Sequence, residues 1–184
     1  MAVKRIPVPN TFQSVDDFVD DAWDHIRAVP GADRLFYGAS EAANFSKIWH
    51  AIGIAQAVVL RDPKRAIKTS AALGIEAALV NGPIKSLFER ERPDVDPADR
   101  PLKLRAPKTS SFPSGHASAA TVAASFITPG MPPVGKFGVR ALAFVVSTSR
   151  IHVQIHHATD VVAGAATGWA LARAIRPILR RVVG

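Results

Sequence analysis

Charge in this chain is gathered at the ends of its apolar stretches, and that pattern limits its possible folds more than any other feature. Ile48 to Leu60 is almost wholly apolar, and the charged turn Arg61-Asp-Pro-Lys-Arg65-Ala-Ile-Lys68 follows it. From Thr69 to Ile84 the only charge is Glu76. Ala117 to Ile127, Ala141 to Ser149 and Val161 to Ala172 carry none. No stretch alternates apolar and polar residues as a strand would, and Ala and Gly are frequent. The pattern predicts an all-α helical bundle of about six helices. About five of these have the length to cross a bilayer, although no run of about eighteen residues is uniformly and strongly hydrophobic.

The first predicted helix differs from the rest. Ser14 is placed to cap it, with Asp17 three residues on. Val15, Phe18, Val19, Ala22, Trp23 and Ile26 form one face; Asp16, Asp17, Asp20, Asp21 and Asp24 form the other. This is an amphipathic helix ending before Pro30, and its acidic face is read as solvated, with a metal or partner site as the sharper alternative. The second helix spans 33–60 with a break near Gly38. The third spans 66–88 with a kink at Asn81-Gly82-Pro83. A polar, proline-containing loop, 93–112, follows and is read as a lid. The remaining helices are placed at 114–127, 137–148 and 159–179. Gly164 and Gly168 in the last allow close approach of a neighbour.

The polar residues between these stretches are of a particular kind. Lys85 and Arg92 flank one segment, and Arg150 lies far along the chain. Guanidinium forks and an ammonium suit a phosphate. Pro113-Ser114-Gly115-His116 opens a helix, whose free N–H groups also suit an anion. His156 and Asp160 are four residues apart, so they share a face if the helix already runs there. A carboxylate beside an imidazole fixes its tautomer, as a nucleophile or base requires. His116 is a second imidazole, suited to protonating a leaving oxygen.

Written as KxxxxxxRP, PSGH and SRxxxxxHxxxD, these segments resemble the signature of the type 2 phosphatidic acid phosphatase superfamily. That superfamily also includes bacterial acid phosphatases and vanadium haloperoxidases. The resemblance implies a phosphatase with one catalytic domain. The lead-in and amphipathic helix would occupy 1–30 and the helical catalytic core 33–180. It implies that His156 attacks phosphorus to form a phosphohistidine, that Asp160 orients it, and that His116 protonates the leaving group. Lys85, Arg92 and Arg150, with Ser114 and the Gly115 amide, would hold the phosphoryl oxygens. No metal and no other cofactor are implied. Gln154, His157 and Ala158 depart from residues common in the family around the last histidine, which leaves the head group open.

The chain also resembles short actinobacterial members, candidates for acting on polyprenyl-linked phosphates such as decaprenylphosphoryl-phosphoribose phosphate. The expected partners are a lipid phosphate and the bilayer. Net charge is +8, but basic residues are not interleaved with stacking aromatics, so nucleic acid is not expected. With no cysteine, thiolate metal sites and disulfides are excluded. Met1 to Pro7 lacks a signal-peptide core. The clusters Arg61–Lys68, Lys136 with Arg140, and Arg173, Arg176, Arg180 and Arg181 all fall at the end of the bundle opposite the three segments. The positive-inside rule makes that end cytoplasmic and the segments non-cytoplasmic. The competing readings are a soluble acid phosphatase with the same residues, a catalytically silent membrane scaffold, a vanadate-dependent peroxidase and a metal site of His152, His156 and Asp160.

Overall fold

The computed structural model describes residues 6–9, 11–96, 98, 100–102, 104 and 109–184. Among these, seven α-helices carry the fold: α1 (Thr11–Arg27), α2 (Ala32–Ala42), α3 (Lys47–Val59), α4 (Pro63–Leu79), α5 (Gly115–Ile127), α6 (Pro133–His152) and α7 (Ala158–Val182). A two-residue parallel pairing joins β1 (Ile6–Pro7) to β2 (Phe88–Glu89). No strand was expected there. The Ile6 N–H donates to the Leu87 carbonyl at 2.7 Å, which ties the N-terminal segment to the chain beyond Lys85.

Two boundaries differ from expectation for local reasons. The helix predicted over 33–60 is two helices, and the break is not at Gly38, which lies inside α2. It falls at Phe45 and Ser46, whose φ angles are +55° and +58°. Left-handed backbone at two successive non-glycine residues ends a helix more firmly than one tolerated glycine. Ser14 does not cap α1. It lies within the helix, and its hydroxyl donates to the Thr11 carbonyl. The kink at Asn81-Gly82-Pro83 is present. Val80–Ile84 forms a π-helical turn, and Gly82 is non-helical at φ −98°, ψ −108°. Pro83 has no N–H and its ring crowds the preceding turn, so α4 cannot continue regularly through it. The kink turns the chain so that Lys85 is buried.

α5 is the central helix and packs most extensively on α7, and on α4 and α6 beside it. Its Ala117, Ala120, Val122, Ala123 and Ile127 are fully buried. The last four meet Trp49, Leu73, Val146, Ile175 and Leu179 in the main core, and Ala117 packs with Ile151, Ala158 and Val161. Each fully buried Val, Leu or Ile among them contributes about 1.5–3 kcal/mol by leaving water, and each Ala less. Gly164 and Gly168 permit the α5–α7 contact. A Cβ on either would lie 2.3 Å from the Ser114 or Ser118 carbonyl oxygen respectively. α4 starts cleanly, with Pro63 in its first turn and Asp62 accepting from the Lys64 N–H at 3.2 Å.

The bundle has two distinct ends. At one, Arg65 donates to the Pro129 carbonyl and Lys68 to the Gly184 carbonyl, so the α3–α4 turn, the α5–α6 turn and the C-terminus lie together. At the other, the Ser114 N–H donates to the Asp160 carbonyl at 2.9 Å, which joins the start of α5 to the start of α7. Among the described residues, no helix is long and apolar enough to cross a membrane by a strict length-and-hydropathy criterion.

α1 lies across the second end. Val19 and Trp23 pack on Ile151, Ala158 and Val161. The predicted apolar face is only partly used, since Val15 and Phe18 are exposed. The acidic face is not simply solvated. Asp16 is buried, and Asp20 and Asp24 both pair with Arg27. Arg27 in turn donates to the Ile151 and His152 carbonyls. Of these carboxylates only Asp16 faces the protein, while Asp20 and Asp24 pair with Arg27 at the surface.

Part of the loop read as a lid, residues 97, 99, 103 and 105–108, lies outside the described residues, as do residues 1–5 and 10 of the predicted lead-in. In the described part, Arg100 donates to the Val153 and Gln154 carbonyls, and Leu104 packs on Tyr37, Val153 and Ile155. The loop therefore covers the α6–α7 turn that carries His156.

Candidate active site

The signature residues come from six separate places and meet at the second end of the bundle. Lys85 follows the π-helical turn, and Arg92 follows β2. Ser114 is the N-cap of α5, and Gly115 and His116 are its first residues. Arg150 sits in the last turn of α6. His156 occupies the turn between α6 and α7, and Asp160 is in the first turn of α7. The helix thus begins after His156, and Asp160 reaches back to it from one turn inside.

His156 has a partner group on each side, within hydrogen-bond geometry only on the Arg92 side. Its Nε2 lies 3.2 Å from Arg92 Nη1, and its Nδ1 lies 3.4 Å from Asp160 Oδ2. Arginine can only donate, so Nε2 accepts and the ring proton resides on Nδ1, facing the carboxylate. Burial pushes the His156 pKa down to about 3, against the pull of Asp160 and with the push of Arg150 and Arg92. The ring is neutral near pH 7, and its lone pair is on the Arg92 side. Asp160 is itself held, as Oδ2 also accepts the His157 N–H at 3.0 Å.

The cations are crowded and short of acceptors. Arg92 donates to the carbonyls of Ile155, Thr109 and Ser110, yet its Nε is buried without a partner. Arg150 is 2 % exposed; it donates to Ser40 Oγ, and its Nε is likewise unpaired. The Ser114 hydroxyl has no partner either. Lys85 is 6 % exposed, and burial followed by the charges of Arg92 and Arg150 pushes it down to about 8. Buried donors without acceptors cost about 1–3 kcal/mol each. Three cations facing unpaired donors at a helix N-terminus form an anion site, and an oxyanion would satisfy all of them.

Ser40 was not legible in the sequence. It is fully buried on α2, and its hydroxyl holds Arg150 while its carbonyl faces His116 Nε2 at 3.3 Å. A carbonyl only accepts, so Nε2 of His116 carries a proton. Arg90 and Asp16 were also missed. Arg90 is a spacer position within the first segment, and it pairs with both Asp160 and Asp16. Repeated acids at four-residue spacing on α1 were the one available signal.

His152 and His157 do not join the cluster as ligands. His152 accepts from Trp23 Nε1, faces Asp33 through Nε2 at 3.0 Å and stacks on Phe36. His157 is the N-cap of α7. Among the described residues, no group of three His, Asp or Glu could hold a metal ion.

The sequence model of the PAP2 superfamily matches residues 66–183, a span that contains all eight signature residues. The chain belongs to the PAP2 superfamily. It is 32% identical over 145 residues to the decaprenylphosphoryl-5-phosphoribose phosphatase of Mycolicibacterium smegmatis, covering 74% of this chain and 75% of that protein. Two crystal structures share the fold. One is the first transmembrane PAP2 type phosphatidylglycerolphosphate phosphatase from Bacillus subtilis, at TM-score 0.69 and 23% identity, covering 95% of this chain and 89% of that one. The other is LpxE from Aquifex aeolicus, at TM-score 0.69 and 22% identity, covering 95% of this chain and 99% of that one.

Proposed function

We propose that this phosphatase removes a terminal phosphate from a membrane lipid through a phosphohistidine on His156, without a metal. One observation carries the reading. His156 presents an unprotonated Nε2 beside Arg92, with Asp160 behind its Nδ1, and unpaired donors of Arg92, Arg150 and Ser114 are buried in the same site.

In this reading Lys85, Arg92, Arg150, Ser114 and the Gly115 amide bind the phosphoryl oxygens. His156 Nε2 attacks phosphorus while the bond to the leaving oxygen breaks. Asp160 stabilises the positive charge that develops on the ring. His116, protonated on both ring nitrogens once the phosphate dianion is bound beside it, gives one of these protons to the leaving oxygen. Its long contact to the Ser40 carbonyl is weak enough for a leaving oxygen to replace. Water then attacks the phosphohistidine, with His116 taking its proton, and releases phosphate. Donors fixed in advance around the phosphoryl oxygens supply most of the transition-state stabilisation.

The lipid part rests on the outer surface. Ile54, Val58 and Val59 on α3, Ile67 and Ile75 on α4, Phe137 and Phe144 on α6, and Val162 and Trp169 on α7 are exposed. Apolar side chains facing outward from four helices fit hydrocarbon better than water. The charge-free centre of α7, 161–172, is about 18 Å long. Arg173 folds over the Trp169 ring at 4.9 Å, and such flanking side chains can reach outward to extend a short span. The cluster of basic residues at the far end favours that end as cytoplasmic, with the site on the non-cytoplasmic face. Phe18 and Val15, exposed beside the site, would lie at the membrane rim. The similarity to the decaprenylphosphoryl-5-phosphoribose phosphatase favours a polyprenyl-linked phosphosugar as substrate.

The test is phosphate release by the purified protein from a panel: a polyprenyl-phosphoribose phosphate, phosphatidate, phosphatidylglycerophosphate and soluble monoesters. The expected result is preference for lipid substrates, with acid-labile, alkali-stable label on His156 after rapid quenching. The absence of strict apolar spans favours one rival, a soluble phosphatase with the same site. Preference for soluble esters would select it.

A further inference from the structure

Arg90 is forked between two buried carboxylates. Its Nη1 donates to Asp160 Oδ1 at 2.5 Å and to the Thr159 hydroxyl at 2.8 Å, and its Nη2 donates to Asp16 Oδ2. The side chains of Arg90, Asp16 and Asp160 are 12%, 3% and 0% exposed. Asp16 is anchored independently, since Oδ1 accepts the Thr159 N–H and Oδ2 the Thr159 hydroxyl, both at 2.8 Å. It therefore satisfies a free N–H in the first turn of α7, where a carboxylate is favoured.

This leaves both Asp160 oxygens committed. Oδ1 is held by Arg90, while Oδ2 takes the His157 N–H and faces His156 Nδ1. If Arg90 released Oδ1, the carboxylate could rotate about its last bond, and Oδ2 would leave the imidazole. A buried, uncompensated negative charge would also remain. Arg90 in turn depends on Asp16, which fixes its other nitrogen. Asp16 lies on α1, far outside the region that the family model matches.

We propose that Asp16 and Arg90 are positioning residues for the reaction, and that α1 thereby completes the His156–Asp160 pair. This rests on the reading of His156 as nucleophile. Neither residue touches substrate. Their work is to hold one carboxylate in the rotamer that aligns the attacking ring, and a displacement of about 1 Å at such a point costs on the order of 100-fold in rate. α1 is thus part of the working site rather than an independent lead-in.

The experiment is steady-state kinetics of the purified full-length chain in detergent on a chromogenic phosphate monoester across pH. The variants are Asp16→Asn, Arg90→Gln, Arg90→Lys, the Asp16→Asn/Arg90→Gln double and His156→Ala, each checked by thermal melting. For Asp16→Asn and Arg90→Gln, kcat should fall on the order of 10–100-fold with KM little changed. In Arg90→Gln the acidic limb of the kcat profile should also move to higher pH, because Asp160 loses a cation that favours its charged form, whereas Asp16→Asn keeps that cation and should not raise the limb. The other charged or titratable groups acting with Asp160 are His156, Arg92 and Lys85, and all remain in these variants. The double variant should be no worse than Arg90→Gln, because the two residues act in series. Arg90→Lys keeps the charge but not the fork, so its kcat should be intermediate.

Unchanged kcat and pH profile in folded Arg90→Gln, a rise in KM alone, or multiplying losses in the double variant would each overturn the proposal. If Asp16→Asn and Arg90→Gln melt below the assay temperature, Arg90→Lys decides it, and a wild-type kcat there also overturns it. Failure of the underlying reading looks different: His156→Ala would then retain turnover.

Discussion

Gly164 on α7 faces the Ser114 carbonyl of the α5 N-cap so closely that a Cβ in its place would lie 2.3 Å from the oxygen. The same Ser114 also donates its N–H to α7, to the Asp160 carbonyl one turn before Gly164. The Ser114 turn and the Asp160 end of α7 are therefore set at one distance by a missing methyl group. Gly164→Ala must push α5 and α7 apart. Overpacking of this kind costs about 1–3 kcal/mol, and more where backbone opposes backbone. The expected outcome is a lowered Tm together with loss of activity in the surviving folded protein, measured by thermal melting and phosphate release on one sample.

Lys85 gives a pH prediction. Burial and the charges of Arg92 and Arg150 bring its pKa down to about 8. The free enzyme loses this cation as pH rises through that value, while a bound phosphate dianion would favour its retention. kcat/KM reports the free enzyme, so it should decline above about pH 8. Lys85→Arg should move that alkaline limb beyond the measurable range, because guanidinium stays charged. An alkaline limb unmoved in Lys85→Arg would remove Lys85 as its source.

Ser40 separates the two groups it touches. Its hydroxyl holds Arg150, but its contact with His116 is through the backbone carbonyl. Ser40→Ala therefore removes only the first. A hydrogen bond to a charged group contributes about 1.5–3 kcal/mol, so catalytic efficiency should fall at least roughly tenfold. The loss should appear mainly as weaker binding of phosphate and vanadate, read as a raised inhibition constant.

His156→Ala should abolish turnover while the fold survives, since neither His152 nor His157 is aligned to replace it. His152 is committed to Trp23 and Asp33. Chelation by EDTA should leave the wild-type rate intact, because fixed cations do the electrostatic work. Both outcomes are read from phosphate release, with circular dichroism reporting the fold of the variant.

Most of the signature residues were readable because a local segment fixes them, at a helix end or just beyond one, whereas Arg92 follows β2 and is held by residues more than sixty positions away. Lys85 follows a kink that Gly82 and Pro83 impose, and Ser114, Gly115 and His116 open α5. Ser40, Arg90 and Asp16 were not readable, because what defines them is tertiary. Arg90 and Asp16 are 74 positions apart, and Ser40 and Arg150 are 110. Apolar periodicity placed α1 correctly as a helix but misjudged its facing. It scores Phe18 as inward and Asp16 as outward, whereas Arg90 and Thr159 draw Asp16 in and Phe18 stays exposed. The break at Phe45 and Ser46 was hidden for a similar reason, since neither residue type signals left-handed backbone.

The membrane prediction sets length against surface. Among the described residues, no helix meets the length and hydropathy expected of an independent span. The side chains that face outward favour hydrocarbon all the same. Val58 and Val59 are 71% and 79% exposed, Phe137 and Phe144 74% and 66%, and Val162 70%. A soluble bundle would pair such positions with charge, as the acids on α1 do with Arg27. In the core-forming helices most charges lie instead towards the ends, with exposed Arg140 and Arg173 further in and Glu76 1% exposed and facing inward. A span need not be stable alone when its polar groups are enclosed by neighbours. The protein should therefore stay in the membrane pellet through a carbonate wash and require detergent for release. The position of Phe18 and Val15 beside the site adds a finer expectation. Phe18→Ser should leave turnover of a soluble chromogenic ester unchanged but lower turnover of a lipid phosphate in vesicles, because α1 would lose its hold on the bilayer edge. Monodisperse protein in plain buffer, with equal rates on both substrates in Phe18→Ser, would place the chain in water and direct the substrate search to soluble esters, with the same histidine at the centre.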